Sequence, residues 1–160
     1  MFDVDVTKDE TYRESDGYRP GTRAAIAPTP FGRLGLSICY DVRFAYLYRA
    51  LAQAGAEILL VPAAFSPVTG KAHWESLLRA RAIETGCYVL AAAQTGTHRA
   101  SVGKQRKTHG HSLAISPWGE VLADGGTEEG TVLVEIDHAE VAQARRKIAA
   151  LGHDRNFEGP

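Results

Sequence analysis

Short apolar runs alternate along the chain with stretches in which hydrophobic residues recur at helical spacing. The continuous apolar runs at residues 57–62 and 87–93 are typical of strands that are covered on both faces. Residues 42–54 and 72–85, each directly before one of these runs, repeat apolar side chains every three or four positions, which predicts two helices. This order of elements predicts an α/β chain with a mixed sheet and with helices on one face.

Further strands are predicted on both sides of this central part. They comprise residues 24–27, 32–39, 111–116, 120–123 and 131–136. The turn Pro117-Trp118-Gly119 joins two of them into a hairpin, because proline and glycine interrupt regular strands. Asp137 stands where it can cap a final helix, and Glu140 follows at capping-box spacing.

Three segments lack clean hydrophobic periodicity and are predicted to be loops. Residues 1–22 are charged and contain glycine and proline breakers, which suits a surface loop or a tail. Residues 63–71 follow a predicted strand, and residues 95–110 form a long polar and basic segment. Because loops of that length often carry function, the last segment is a candidate rim of an active site.

Composition and charge narrow the classes of function. At 160 residues, the chain has about the length of one domain. A formal net charge of −1 argues against electrostatic binding to nucleic acid or to a membrane surface. The longest apolar stretch, residues 58–65, is far too short to span a bilayer, and no basic-then-apolar leader precedes it. We therefore expect a soluble, cytoplasmic chain.

The chain has two cysteines, Cys39 and Cys87, which are too few for a disulfide framework. Cys39 stands at the junction between a predicted strand and a predicted helix. The predicted strand 32–39 ends at this thiol, and a predicted helix follows almost at once. A strand that stops at a reactive side chain and turns into a helix is a nucleophile elbow in outline, at the sheet edge where α/β folds keep their sites. The alternative is a buried structural cysteine in a core strand, and placement alone leaves both interpretations open.

The residues around Cys39 resemble a known motif. The segment Gly-Leu-Ser-Ile-Cys-Tyr-Asp-Val-Arg-Phe, residues 35–44, is similar to the cysteine motif of the nitrilase, or carbon–nitrogen hydrolase, superfamily, and in particular of its Nit-type amidase branch. Three further segments resemble that branch in the same order: Tyr12-Arg13-Glu14-Ser15, Thr69-Gly70-Lys71-Ala72-His73-Trp74-Glu75, and Gly110-His111-Ser112 through Pro117-Trp118-Gly119-Glu120. Four motifs in register over nearly the whole chain make the resemblance specific.

The resemblance implies a nitrilase-like α-β-β-α sandwich, in which two mixed sheets stack face to face. In that family, the segment that resembles Phe2-Asp3-Val4-Asp5 follows a lysine-containing motif in the middle of the domain. Residues 1–160 are therefore expected to form the C-terminal part of a single carbon–nitrogen hydrolase domain, truncated at its N-terminus. Because family members pair as dimers and a shortened sheet exposes its edges, we expect a homodimer or higher homo-oligomer.

The same resemblance implies hydrolysis of a small linear amide to a carboxylic acid and ammonia, through a cysteine thioester and without a metal or cofactor. Cys39 would be the nucleophile, the backbone N–H of Tyr40 an oxyanion donor, and Glu14 a second glutamate that positions the site. Arg43 would bind a substrate carboxylate or pair with an acid such as Asp41. The pocket floor would be lined by Ala63, Ala64 and Phe65.

The family's general-base glutamate and its oxyanion-stabilising lysine belong to motifs that residues 1–160 do not contain. We therefore expect the polypeptide to be inactive alone, since a single lost oxyanion donor lowers rates roughly 10²–10³-fold. Omega-amides, N-carbamoyl compounds and nitriles share this machinery and rank in that order as substrates. Two alternatives are a non-catalytic half-domain that works as an interaction module and a cysteine–histidine hydrolase. The latter would show a histidine within hydrogen-bond reach of Cys39.

Overall fold

The fold is organised around one six-stranded sheet with two small hairpins beside it. The computed structural model describes residues 3–7, 10–99 and 105–159. Its strands are β1 (Asp3–Thr7), β2 (Glu10–Arg13), β3 (Ala25–Thr29), β4 (Gly32–Leu36), β5 (Ile58–Leu60), β6 (Tyr88–Ala91), β7 (Thr95–His98), β8 (Arg106–His109), β9 (Leu113–Ile115) and β10 (Val121–Asp124). Its helices are α1 (Ala45–Gln53), α2 (Pro67–Thr85) and α3 (His138–Lys147), with short 3-10 helices at Glu14–Asp16, Cys39–Arg43 and Ala150–Gly152.

The strand order β10-β9-β6-β5-β4-β3 makes the large sheet mixed, which confirms the predicted α/β class. Strands β4, β5 and β6 are parallel, whereas β3, β9 and β10 run antiparallel to their neighbours. Leu34 pairs with Ile58, and Ile58 pairs with Tyr88, so the carboxyl ends of the three parallel strands lie side by side. The segments that follow β4 and β5 therefore meet at one edge of the sheet, where such folds place their sites.

Side chains alternate between the two faces of the sheet and find different partners on each. On one face, Leu59 and Val89 pack with residues of α1 and α2 in the main core. The largest completely buried side chains of these two helices are Trp74, Tyr48, Leu51 and Leu78. On the other face, Ile58 and Tyr88 pack against Val141 of α3. The prediction of helices on one face is therefore wrong for α3, since an apolar stripe does not reveal which face it covers.

Two segments that were predicted to be loops contain hairpins instead. Within residues 1–22, β1 pairs with β2, and an ion pair between Arg13 Nη2 and Asp5 Oδ1 (2.8 Å) joins the strands. Within residues 95–110, β7 pairs with β8. The strands β7 and β8 are mostly exposed or half-buried, and no apolar alternation marked them in the sequence. Residues 3–7 of β1 do alternate, as Asp-Val-Asp-Val-Thr, but this run is only five residues long and stands among charged residues, so it was predicted to be part of a loop. Residues 1, 2, 8, 9 and 100–104 of the two predicted loops lie outside the described residues.

The predicted strand at residues 131–136 is wrong, because the structure has no strand there and β10 forms the edge of the sheet. Leu133 is 90% exposed, although Ile136 packs against the apolar cluster around α3. A strand needs a neighbour to pair with as well as apolar content. Alternating apolar residues were therefore not sufficient to predict one.

Side-chain caps define the starts of two helices. The helix α2 begins at Pro67, earlier than predicted, because the Ser66 hydroxyl oxygen accepts from the N–H of Thr69 (3.4 Å). The cap of α3 by Asp137 is confirmed, since its Oδ1 accepts from the N–H of Ala139 (2.8 Å). Over the ranges that the structure describes, no helix is both long and apolar enough to cross a membrane.

Gly70 lies where α2 and β8 approach closely: a Cβ built on it would stand 2.2 Å from Cγ of His109. We expect Gly70→Ala to lower the free energy of unfolding by about 1–3 kcal/mol, because the methyl group and the imidazole cannot occupy the same space. Urea unfolding followed by circular dichroism measures the loss. In a His109→Gly background, Gly70→Ala should cost much less, because the Cβ and the ring of His109, which would stand 2.2–2.6 Å from the new methyl group, are both gone. Equal stability of Gly70→Ala and the wild type would contradict this close packing.

Candidate active site

Cys39 lies just beyond the carboxyl end of β4, which stops at Leu36 rather than at the thiol itself. Its backbone N–H donates to the carbonyl of Pro62 (2.9 Å), which ties the turn to the segment after β5. Its φ of +50° lies in the left-handed region that residues other than glycine seldom adopt, and such strain is concentrated at functional sites. The expected strand–turn–helix outline is present, although a short 3-10 helix, Cys39–Arg43, comes before α1.

Asp41 holds this turn rather than pairing with Arg43. Its Oδ2 accepts from the N–H of Ile38 (2.9 Å), and its own N–H donates to the carbonyl of Ile38 (3.0 Å). These two hydrogen bonds close the chain around Cys39. The pairing of Arg43 with Asp41, which the sequence left open, is therefore not what the structure shows.

Buried polar groups form hydrogen bonds with the backbone on both sides of Cys39 in the sequence. Ser37 Oγ lies 2.6 Å from the hydroxyl of Tyr48 and donates to the carbonyl of Leu60 (2.9 Å). Because the one hydroxyl hydrogen of Ser37 goes to Leu60, the hydroxyl of Tyr48 donates to Ser37 Oγ. Burial raises the pKa of Tyr48, which keeps this hydroxyl protonated. Arg81, whose side chain is almost completely buried, donates from Nε to the carbonyl of Val42 (2.8 Å). Hydrogen bonds hidden from solvent thus fix both the strand end and the short helix.

The half-buried thiol of Cys39 lies between two cavities of about 440 and 630 Å³. The residues that line both cavities are Cys39, Ala64 and Arg106. The other site residues predicted from the sequence line one cavity each: Tyr40, Arg43 and Phe65 the first, and Glu14 and Ala63 the second. The structure therefore brings all of these residues around one place, while their separate roles stay predictions.

Arg43 presents a cation to the first cavity. Both of its Nη atoms lie 3.4 Å from Nδ1 of His73, and its guanidinium stands 5.2 Å from the ring centroid of Tyr40 and 5.5 Å from that of Phe65. Cation–π contacts orient a charge without neutralising it. Arg43 forms no ion pair with a carboxylate in the described part of the chain. It is therefore placed to receive a carboxylate from a ligand.

Arg106, at the start of β8, is a second cation at the site, and sequence reasoning missed it. Its Nη2 donates to the carbonyl of Ala64 (2.6 Å), and its guanidinium stands 5.0 Å from the ring centroid of Tyr12. Arg106 belongs to the segment 95–110 that was predicted to be a rim, but nothing in the pattern distinguished it from its neighbour Lys107. The pairing of β8 with β7, which the sequence did not predict, determines its place.

Among the described residues, Asp5 and Glu14 bring carboxylates to these cavities. Glu14 opens a short 3-10 helix directly after β2 and lines the second cavity together with Cys39. Asp5 accepts from the hydroxyl of Thr11 (2.9 Å) and from Arg13 (2.8 Å), and these hydrogen bonds lower its pKa. Asp5 therefore stabilises the β1–β2 hairpin through hydrogen bonds. Glu14 lines the same cavity as Cys39.

Cys87 has different surroundings. Its side chain is completely buried, and its Sγ lies 3.3 Å from the carbonyl oxygen of Ala56 and 3.0 Å from Nη2 of Arg145. Burial raises the pKa of the Cys87 thiol. The two cysteines therefore differ in kind: Cys39 opens onto cavities, and Cys87 is sealed in the core.

Histidines do not assist the thiol in the part of the chain that the structure describes. None of them hydrogen-bonds to Cys39 there, which argues against a cysteine–histidine hydrolase. His73 lines the first cavity, but its Nδ1 faces Arg43. His111 Nδ1 lies 2.9 Å from Oδ2 of Asp124. In the same ranges, no group of three or more histidine, cysteine, aspartate or glutamate side chains is arranged to hold a metal ion.

Comparison with known sequences finds a family model that matches most of the chain. The model, described as carbon–nitrogen hydrolase, matches residues 1–146. The deaminated glutathione amidase of Yersinia enterocolitica is 48% identical, over 97% of this chain and 53% of that protein. The omega-amidase NIT2 of Bos taurus is 42% identical, over 98% of this chain and 55% of that protein. The chain thus spans about half the length of the curated relatives it matches.

Solved structures resemble this fold closely. The NitFhit protein of C. elegans superimposes with a TM-score of 0.86 at 44% identity, over 97% of this chain and 37% of that one. A mutant amidase from Nesterenkonia sp. AN1 superimposes with a TM-score of 0.66 at 30% identity, over 84% of this chain and 49% of that one. That structure shows covalent addition of the acetamide moiety of fluoroacetamide at the active site cysteine. Both structural similarities extend over most of the chain, so they include the mixed α/β fold described above.

Proposed function

Since this chain belongs to the carbon–nitrogen hydrolase family, we propose that it carries the nucleophile and the substrate pocket of an amidase that acts on small linear amides. One observation supports the proposal most strongly: the thiol of Cys39 stands in a left-handed turn, at the edge of the sheet, between two cavities. A structural cysteine needs neither strain nor access, as the buried Cys87 illustrates. The similarity to two proteins named as amidases supports the same chemistry.

In the proposed reaction, the thiolate of Cys39 attacks the carbonyl carbon of the amide and forms a tetrahedral species. The backbone N–H of Tyr40, the residue after the nucleophile, donates to the developing oxyanion. The nitrogen then takes up the proton that the thiol gave up, the C–N bond breaks, ammonia leaves, and a thioester remains on the sulfur. Water attacks this thioester, which releases the carboxylic acid and restores the thiol. Glu14 lines the second cavity together with Cys39, and its proposed role is to position the reacting groups.

The charges at the site favour a substrate that carries a carboxylate. Arg43 lines the first cavity, where aromatic rings hold its guanidinium. A cavity of about 440 Å³, with Ala64 and Phe65 in its wall, suits a small linear molecule. We therefore rank omega-amides of dicarboxylic acids first, N-carbamoyl compounds second and nitriles third. The similarity to a protein named omega-amidase supports this order.

The proposed chemistry also needs a general base and a cation for the oxyanion, roles that the family resemblance gives to a glutamate and a lysine. In the described part of the chain, no lysine lines either cavity, and the glutamate found there is Glu14. We propose that residues 1–160 alone are inactive, because the general base and the oxyanion cation are missing together, and the loss of one oxyanion donor already costs roughly 10²–10³-fold in rate. A longer chain of the family would supply both groups.

Ammonia release from the mono-amide of glutaric acid tests the proposal. The assay compares residues 1–160 with a chimaera, in which the part of the Yersinia enterocolitica relative that precedes the matched region is joined ahead of residue 1. We expect the chimaera to work about 10²-fold faster or more, and to prefer this amide to neutral butyramide. If the chimaera folds, as judged by circular dichroism, and releases no ammonia while the relative does, the amidase proposal is wrong and a non-catalytic interaction module is favoured.

Two further expectations stay predictions. The first is a homodimer or higher homo-oligomer, for which the structure offers an apolar groove of about 380 Å³. Three exposed side chains line it: Ile83, Trp118 and Ile148. The second is a cytoplasmic location, which rests on the sequence pattern alone.

A further inference from the structure

Arg106 stands at the junction of the two cavities that Cys39 also lines. It shares the lining of both cavities with Cys39 and Ala64. The strand β8 begins at Arg106, and further along it the N–H of His109 donates to the carbonyl of Phe65 (2.9 Å). This bond anchors β8 to the segment after β5, the same segment that receives the N–H of Cys39. The position of Arg106 is therefore coupled to that of the nucleophile.

Two contacts hold the guanidinium of Arg106. Its Nη2 donates to the carbonyl oxygen of Ala64 (2.6 Å), and its charge stands 5.0 Å from the ring centroid of Tyr12. A guanidinium has five N–H donors, so one backbone hydrogen bond leaves most of them able to contact a ligand. The stacking on the ring orients the cation and does not neutralise it.

The charge of Arg106 is not balanced by an ion pair in the ranges that the structure describes. Asp5, in the first cavity, is already paired with Arg13 (2.8 Å). Arg43 likewise forms no ion pair within the described residues, while Glu14 lines the second cavity. Two arginines therefore give the first cavity, and the junction, a positive potential that attracts small anions.

We propose that Arg106 is a specificity-determining residue, which binds an anionic group of the substrate close to the carbon that the thiol attacks. This inference rests on the proposed function, since it takes Cys39 as the nucleophile. A carboxylate suits the position because the planar fork of arginine binds both carboxylate oxygens at once. Arg43 lines only the first cavity, whereas Arg106 lines both cavities. Arg106 would therefore select for a negative charge nearer to the reacting carbon than Arg43 would.

Alkylation of Cys39 by a charged reagent and a neutral one of similar size tests the proposal. With iodoacetate and iodoacetamide alike, the thiolate forms an S–C bond, the C–I bond breaks, and iodide leaves with the bonding electrons. The ratio of the two rate constants, divided by the same ratio for free cysteine, reports the local preference for an anion. A change in the ionisation of the thiol cancels in this ratio, because it affects both reagents alike. Peptide mass mapping separates Cys39 from the buried Cys87.

We expect Arg106→Gln to lower the ratio of iodoacetate to iodoacetamide reactivity about fivefold at low ionic strength, because one partly solvated charge near the thiol is lost. Arg106→Lys should keep part of the preference, since it keeps the charge but not the fork. In the wild type, added salt should lower the same ratio, because it screens the attraction between the arginines and the charged reagent.

Lys107→Gln is the matched control. It makes the same change in charge one residue further on, where the side chain points to the opposite side of β8. It should leave the ratio at the wild-type value. Circular dichroism checks that each variant is folded before rates are compared, and Arg106→Lys provides a milder change if Arg106→Gln does not fold.

The outcomes separate this inference from the proposed function. If folded Arg106→Gln gives the wild-type ratio, Arg106 does not select anions, and the inference is wrong while Cys39 stays the proposed nucleophile. If neither reagent modifies Cys39 in the folded wild-type protein, the thiol is not accessible and the proposed function itself fails. If Lys107→Gln lowers the ratio as much as Arg106→Gln does, the preference comes from net charge, and the assignment to Arg106 is wrong.

Discussion

Replacement of Cys39 by alanine is expected to lower kcat for amide hydrolysis by the chimaera about 10⁴-fold or more. The reason is that the sulfur forms the covalent bond to the acyl group, and a methyl group offers no nucleophile. The thiol lies half-buried between the cavities, so alanine removes it without filling either of them. The left-handed backbone at position 39 strains alanine as it strains cysteine, so the fold should persist. Ammonia release under saturating substrate measures kcat.

The matched control for this prediction is Cys87→Ala, the same replacement at the buried thiol. It should leave kcat unchanged, although it should lower the free energy of unfolding because it opens a small space in the core. Full activity of Cys39→Ala would show that the nucleophile lies elsewhere. Loss of activity in folded Cys87→Ala would show that reactivity does not follow access to the cavities.

Replacement of Glu14 by glutamine is expected to lower kcat of the chimaera about 10²-fold, with little change in KM. Glutamine keeps the shape of the side chain but loses its negative charge and its ability to take up a proton. Glu14 and Cys39 line the same cavity, so this loss changes the charge of the cavity in which the proposed reaction takes place. A split between kcat and KM is what separates an effect on the chemical step from an effect on substrate binding.

Asp16→Asn is the matched control, because Asp16 lies on the same short 3-10 helix, is exposed, and undergoes the same change in charge. It should leave both kcat and KM at wild-type values. Equal losses in Glu14→Gln and Asp16→Asn would mean that activity depends on the negative charge of this short helix and not on Glu14 in particular. An unchanged kcat in Glu14→Gln would remove Glu14 from the site.

The central strands and helices could be predicted because their side chains are buried. The apolar runs 57–62 and 87–93 become β5 and β6, which have neighbours on both sides and core on at least one face. The hairpin β7–β8 could not be predicted, because backbone pairing between polar segments leaves no apolar pattern. The hairpin β1–β2 was missed although residues 3–7 alternate between polar and apolar side chains, because so short a run among charged residues does not distinguish a strand from a loop. The false strand at 131–136 shows the converse, since it has the pattern but no partner strand.

The site was predictable to the extent that it follows from chain order. Cys39 could be recognised from its place at a strand end, and the motif context pointed to Glu14, which the structure places on the same cavity. The left-handed φ of Cys39 could not be predicted from the sequence, because it depends on the hydrogen bond to Pro62 and on those within the turn. The position of Arg106 could not be predicted either, since a strand pairing between polar segments brings it to the two cavities that Cys39 lines.

The covalent role of Cys39 is tested most directly with an activated ester. On the 4-nitrophenyl monoester of glutaric acid, acylation is fast because nitrophenolate leaves readily, so the acyl-enzyme accumulates before water opens it. The chimaera is quenched in acid within the first turnover, and its peptides are mapped by mass. We predict a burst of one nitrophenolate per chain and a glutaryl group on the peptide that contains Cys39, both absent from Cys39→Ala. An equal burst from Cys39→Ala, or a glutaryl group on a different residue, would contradict this role.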